Sequence, residues 1–270
     1  MGSGIAEVCA RAGGDVIVHE IDATAAEAAL GRIQKSLARA LERGKLEGTE
    51  RDQILSLIAI STDIAEQSDR QLVIEAATEN EDLKKDIFSQ LDRIVGDETI
   101  LASNTSSIPI TRLAAATERP GKVVGLHFFN PVPVMALVEL VTTVLTDDGT
   151  ADTVAAYAES LGKTVIRAKD RAGFIVNMLL IPYMIGAVRM YEAGFASAED
   201  IDAGMKLGAN HPMGPLELAD FVGLDTTKYV ADVLFEEFKD PAYASPPLLT
   251  RMVEAGLHGR KTGRGFYDYR

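Results

Sequence analysis

Short apolar runs alternate with amphipathic stretches as far as residue 170, and the period then changes. The runs at 16–18, 55–60, 72–77, 100–102, 123–126, 136–142 and 164–166 have the length and β-branched content of strands. Between them, 23–43 places Ala26, Leu30, Ile33, Leu37 and Leu41 at helical spacing, and 81–94 and 150–161 repeat that period. Such alternation predicts a doubly wound, mostly parallel sheet with helices packed on it. It stops at Lys169-Asp170-Arg171-Ala172-Gly173. Helical periodicity alone follows, broken by Gly and Pro into 174–193, 197–207, 215–221, 225–238 and 247–255. The expectation is an α/β domain over 1–170 and an all-helical domain over 171–270.

The amino terminus reads MGSGIAEVCARAGGDVIVHEID. Ile5, Ala6, Val8, Cys9 and Ala10 form an apolar helical stripe behind Gly2 and Gly4; a Gly13-Gly14 turn, a short strand and Glu20 follow. Glycine, helix, turn, strand and acid make the second half of a dinucleotide-binding βαβ unit, hence a Rossmann-like fold. Gly2 and Glu20 stand near the interval between the last fingerprint glycine and the acid that holds a ribose. An ordinary helix-turn-strand shares this outline. A complete fingerprint needs roughly ten to fifteen more residues before Met1. We therefore expect the natural chain to start upstream, and a sheet lacking that central strand to carry two unpaired inner edges.

Composition narrows the function classes. A formal charge of −13 argues against nucleic acid or an anionic membrane surface as partner. No apolar run is long enough to span a bilayer and no leader is visible, and the single Cys9 suits a reducing compartment, so the expected location is cytoplasmic. The histidines at 19, 127, 211 and 258 lack ligand spacing, so no metal is expected.

Candidate chemistry centres on 122–141, KVVGLHFFNPVPVMALVELV. His127 ends one apolar run and Glu139 sits within the next. An imidazole poised by a carboxylate at the mouth of a sheet suits proton transfer near neutral pH, whereas a lone His beside aromatics is also a common structural residue. Ser103-Asn104-Thr105-Ser106-Ser107 lies where ligands sit in open α/β sheets; a helix N-cap explains the same residues. Arg32, Lys35, Arg39 and Arg43 give one helix a basic face, either solvated or phosphate-binding.

The blocks MGSGIA, ASNTSSIPIT, GLHFFNPVPVMALVELV, RAGFIVNMLL, HPMGPLELADFVGLD and GRKTGRGFYDY occur in order over the whole chain. In these it resembles the short-chain L-3-hydroxyacyl-coenzyme A dehydrogenases of fatty acid metabolism, especially the bacterial 3-hydroxybutyryl-coenzyme A enzymes. The resemblance implies hydride transfer between NAD and C3 of a short-chain 3-hydroxyacyl-coenzyme A, with His127 as proton acceptor and Glu139 as its orienting carboxylate. It implies that Ser106 and Asn177 bind substrate in a site between the domains, and that Ser36 and Arg43 meet the coenzyme A adenosine. For the cofactor it implies Gly2, Glu20, Glu79, Lys84, Ser106, Asn130 and Lys261, and Glu20 would favour NAD over NADP by repelling a 2′-phosphate. A homodimer through the helical domain is also implied. Arg43 stands where the family often has Lys. Ala172 stands where it often has Pro, which predicts a looser start to the first helix of the second domain. Two alternatives are a dehydrogenase of a non-coenzyme A hydroxyacid such as gulonate, and a truncated or recruited structural protein of this fold.

Overall fold

A computed structural model describes residues 1–270, which divide into two compact units, Met1–Asp170 and Arg171–Arg270. The first begins with helix α1, Gly2–Arg11, and strand β1, Val16–His19. Helices α2, Ala23–Glu42, and α3, Gly48–Ser56, lead to β2, Ile58–Ser61. Next come β3, Leu72–Glu75, α4, Glu81–Ile94, β4, Ile100–Ser103, and the short α5, Ile110–Ala114. Strands β5, Val123–Phe128, and β6, Leu137–Thr142, helix α6, Asp148–Ser160, and β7, Thr164–Lys169, complete the unit.

The strands form two sheets. One pairs β1 with β2 in parallel; the other runs β3-β4-β5-β6-β7 and is parallel except between β5 and β6. No backbone ladder joins β1 to β3. Helix α1 spans that division, which explains why a short helix is buried almost all round. Ile5, Val8 and Cys9 pack into the core over the larger sheet with Ala102, Leu126 and Leu140. Ala6 and Ala10 pack into a second core with Ile33, Leu37 and Ile54.

Local chemistry sets the helix starts. Asp22 accepts a bond from the Ala25 amide at 2.7 Å to open α2, and Asn80 accepts from the Leu83 amide at 2.9 Å to open α4. Residues 55 and 56, expected in a strand, instead end α3, and the strand starts at Ile58. A capping box of Glu47 and Glu50 starts that short polar helix, whose sole buried apolar side chain is Ile54, so it shows no helical apolar period.

The second unit contains α7, Val176–Glu192, α8, Ala198–Ala203, α9, Pro215–Val222, α10, Leu224–Phe238, and α11, Pro247–Glu254. Its core gathers Met184, Ile185, Leu216, Leu224, Leu234 and Leu249. Ala172 is fully buried in the same core, and the turn that begins α7 places Gly173 at φ +78°. The carboxyl-terminal segment is held by two buried carboxylates. Asp220 accepts bonds from the amides of Phe266 and Tyr267 and from the Tyr269 hydroxyl, at 3.0, 2.9 and 3.1 Å. Asp202 accepts from the amides of Leu216 and Glu217 and from the Tyr267 hydroxyl. The chain crosses them closely: a Cβ at Gly265 would lie 1.9 Å from Asp220 Oδ1, so only glycine fits.

Replacing Asp220 with Ala strands buried donors, and we expect a loss of about 3 kcal/mol in the stability of the helical unit, read as a lower urea midpoint. A midpoint shift below about 0.5 kcal/mol would show the clasp to be dispensable.

Candidate active site

The carboxyl ends of β3, β4 and β5 lie side by side, and the polar residues delivered there form one network. His127 and Glu139 are direct partners in the antiparallel β5–β6 ladder, which places both side chains on one face. His127 Nδ1 lies 2.7 Å from Glu139 Oε2; Glu139 is fully buried and His127 is 6% exposed. The Phe129 ring stands 4.6 Å from the imidazole, centre to centre, and tilted against it. Together the carboxylate and the aromatic ring hold the orientation of the imidazole.

Asn104 connects this pair to the neighbouring loop. Its Oδ1 accepts a bond from the Phe128 amide at 2.9 Å, and its own amide donates to the Glu75 carbonyl at 2.8 Å. The loop from 104 to 109 thus bridges the ends of β3 and β5. It does not cap a helix with its own side chains, which was one expectation for its serines. Instead, Asp170 caps α5 from a distant point in sequence, accepting from the amides of Ile110 and Thr111 and from the Thr111 hydroxyl at 2.6–2.8 Å.

Glu79 gathers the serines. Its Oε1 accepts bonds from the Thr105 hydroxyl at 2.5 Å, the Ser106 amide at 2.8 Å, the Ser106 hydroxyl at 3.2 Å and the Ser107 hydroxyl at 3.1 Å. Burial pushes this carboxyl up, but the Thr105 bond, the Lys84 charge and the Ser106 and Ser107 bonds outweigh it, holding Glu79 below the usual glutamate range.

Lys84 lies behind that loop. It is 1% exposed, and its Nζ reaches Glu75 Oε1 at 2.6 Å, the Ala77 carbonyl at 3.1 Å and Glu79 Oε2 at 3.5 Å. Glu75 in turn accepts from the Ser103 hydroxyl and the Ala77 amide, each at 2.6 Å. Glu75 and Asp170 were not singled out as site residues in the sequence. An acid at the end of an apolar strand, followed by a lysine one helical turn into the next helix, was the available sign of the first.

The other expected residues take the following positions, each within its own unit. Glu20 follows β1, its carboxylate 3.6 Å from Arg32 Nη2, and its side chain is 27% exposed. Gly2 opens α1, where an added Cβ would sit 3.7 Å from Ala76 Cβ. Ser36, half-buried, and Arg43, exposed at the end of α2, are two turns apart and share one side of that helix. Asn130 is exposed after β5. In the helical unit, Asn177 is half-buried in the first turn of α7, and Lys261 pairs with Asp225.

An imidazole held against a buried carboxylate at the carboxyl end of a mostly parallel sheet is chemically able to accept and return a proton. The model of the 3-hydroxyacyl-CoA dehydrogenase NAD-binding domain matches residues 1–171, and that of the carboxyl-terminal domain matches 173–269. A 3-hydroxybutyryl-CoA dehydrogenase of Mycobacterium tuberculosis is 57% identical, over 100% of this chain and 95% of its own length. The human mitochondrial hydroxyacyl-coenzyme A dehydrogenase is 44% identical over 100% of this chain and 88% of its own. The crystal structure of (S)-3-hydroxybutyryl-CoA dehydrogenase from Ralstonia eutropha superposes with a TM-score of 0.96 at 48% identity, covering 100% and 95% of the two chains. The chain belongs to the 3-hydroxyacyl-CoA dehydrogenase family and is an oxidoreductase that uses NAD.

Glu79→Gln should loosen the serine loop at neutral pH, by about 1–3 kcal/mol in denaturation measurements. Because the folded carboxyl titrates below its unfolded value, its contribution is complete above the ordinary glutamate pKa and is lost as pH falls through the folded one. The wild type's advantage over Glu79→Gln should therefore stay level from pH 7 until that range is reached, and then narrow. An advantage that widened with acid would contradict this account.

Proposed function

We propose that His127 and Glu139 carry the proton transfer in the interconversion of a short-chain 3-hydroxyacyl-coenzyme A, typified by 3-hydroxybutyryl-coenzyme A, and its 3-keto partner. The observation that carries this reading is the 2.7 Å contact between His127 Nδ1 and Glu139 inside the β5–β6 ladder. With Nδ1–H donated to a buried carboxylate, Nε2 is the nitrogen that accepts the proton of the substrate's 3-hydroxyl. The imidazolium formed is stabilised by Glu139, which also keeps the ring in one tautomer. NAD, when bound, supplies the hydride acceptor. In the reverse direction the same imidazolium returns its proton to the 3-keto oxygen as the hydride arrives.

The remaining residues serve binding. Glu20 offers an accessible carboxylate to the vicinal hydroxyls of a ribose and repels a 2′-phosphate, so NAD is preferred to NADP. Gly2 opens the helix whose amino end faces the cofactor pyrophosphate. Glu79, Asn130 and Lys261 attend the nicotinamide half, while Lys84, being buried, acts there through Glu79 rather than by direct contact. Ser106 and Asn177 bind the acyl group, and the shared side of Ser36 and Arg43 meets the coenzyme A phosphates. The protein works in the cytoplasm as a homodimer through its helical unit. The exposed Leu179, Phe195 and Leu207 of that unit, 72%, 76% and 87% accessible, support the second copy.

With acetoacetyl-coenzyme A and NADH, His127→Gln should lower kcat by about 10²–10⁴-fold while NADH binding, read by fluorescence, is retained. Glu139→Gln should reduce kcat with little change in KM. Wild-type-like turnover in His127→Gln would end this assignment. Glu20→Ser should shift the NADH-to-NADPH preference toward NADPH, measured as the ratio of kcat/KM values.

A further inference from the structure

A cavity of about 360 Å³ opens on the first unit between the end of α1, the segment leading into β6 and the turn before β7. None of the residues assigned above lines it. Its walls include Val8, Arg11, Pro133, Met135, Leu161 and Lys163. Lys163 is the unusual member. Only 9% of it is exposed, and its Nζ donates to the carbonyls of Val132 at 2.6 Å and Met135 at 2.8 Å. It makes no carboxylate ion pair, unlike the other buried lysine, Lys84.

Two carbonyl acceptors satisfy a neutral amine as well as an ammonium. Once one proton is lost, the two N–H bonds remain on Val132 and Met135, and the lone pair takes the direction of the third, unbonded proton. Burial without an opposing charge favours that neutral form and lowers the pKa of Lys163. Arg11, also on the cavity wall, binds Glu7 through Nε and Nη2 at 3.0 and 2.7 Å. Its charge is already paired with Glu7, so the reactivity of this cavity rests on the desolvated amine. A desolvated lysine in an open, partly apolar cavity is a nucleophile for an acyl donor.

We infer that Lys163 is a site of covalent acylation by acyl-coenzyme A thioesters, outside the dehydrogenase site. Nζ attacks the thioester carbonyl carbon, the C–S bond breaks, and coenzyme A leaves as a thiol with the proton released by nitrogen. The product is an amide, and nothing is oxidised or reduced. The amide keeps a single N–H, so one of the two bonds to the 132–135 segment is lost, loosening the connection between the strands that carry His127 and Glu139.

The source of the reagent rests on the proposed substrate class, but the chemistry needs only a thioester. The test uses acetyl-coenzyme A, which has no 3-keto group, so its result is separate from any turnover assay. The full chain is incubated with it, digested with a glutamate-specific protease, and acetylation is followed by mass spectrometry at each lysine. Lys163 should be modified about ten-fold faster than the exposed Lys35 and Lys45 in the same molecule, despite its burial. Acetylation of Lys163 no faster than that of Lys45 would overturn the proposal, and this comparison needs no variant to fold.

Discussion

A buried carboxylate is tolerated only when donors surround it, and this requirement organises both units. At the mouth of the larger sheet, the buried Glu75 and Glu139 and the partly exposed Glu79 each hold a different partner: a lysine, an imidazole and a run of hydroxyls respectively. Without its donors each carboxylate would be left desolvated and unpaired, which is strongly unfavourable. The donors come from different strands and loops, so satisfying the acids also fixes the relative positions of β3, β4, β5 and β6. In the helical unit, Asp202 and Asp220 hold the carboxyl-terminal segment by the same logic, using amides and tyrosine hydroxyls.

Helix α1 answers a different constraint. Two sheets with no shared ladder must still form one unit, and α1 contributes side chains to the apolar cores over both. Small residues make this possible. Ala6 and Ala10 permit close packing on one side, while Gly4 lies near Val132 on another, where an added Cβ would come within 3.1 Å. Helix α1 is therefore an apolar link across the division of the sheet.

Much of this was legible in order along the chain. Unbroken apolar runs located the strands of the larger sheet, where β4 and β5 are buried on both faces, and period 3.6 located the long helices. Helix α3 escaped because a polar helix with one buried apolar residue has no face to read. The His127–Glu139 pair was legible as a candidate because both members lie on adjacent strands joined by a short connection, but spacing alone left a structural histidine equally open, and the family resemblance decided between the two. Lys84 was visible but its surroundings were not: whether a lysine faces solvent or an acid depends on packing that one-dimensional spacing does not encode. Asp170 was seen only as a point where the pattern changes, since its partners at 110 and 111 lie far away in sequence. Long-range capping leaves no local trace.

The ladder register of β5 and β6 bears on how this protein tolerates change. Twelve positions separate His127 from Glu139, but their meeting depends on strand pairing and not on the length of the intervening segment. A residue inserted among the exposed positions near Val134 would lengthen a loop at modest entropic cost. The same insertion inside either strand would turn every following side chain to the opposite face, separating the imidazole from its carboxylate. Within one short hairpin, length drift is permitted in the middle and forbidden at both ends.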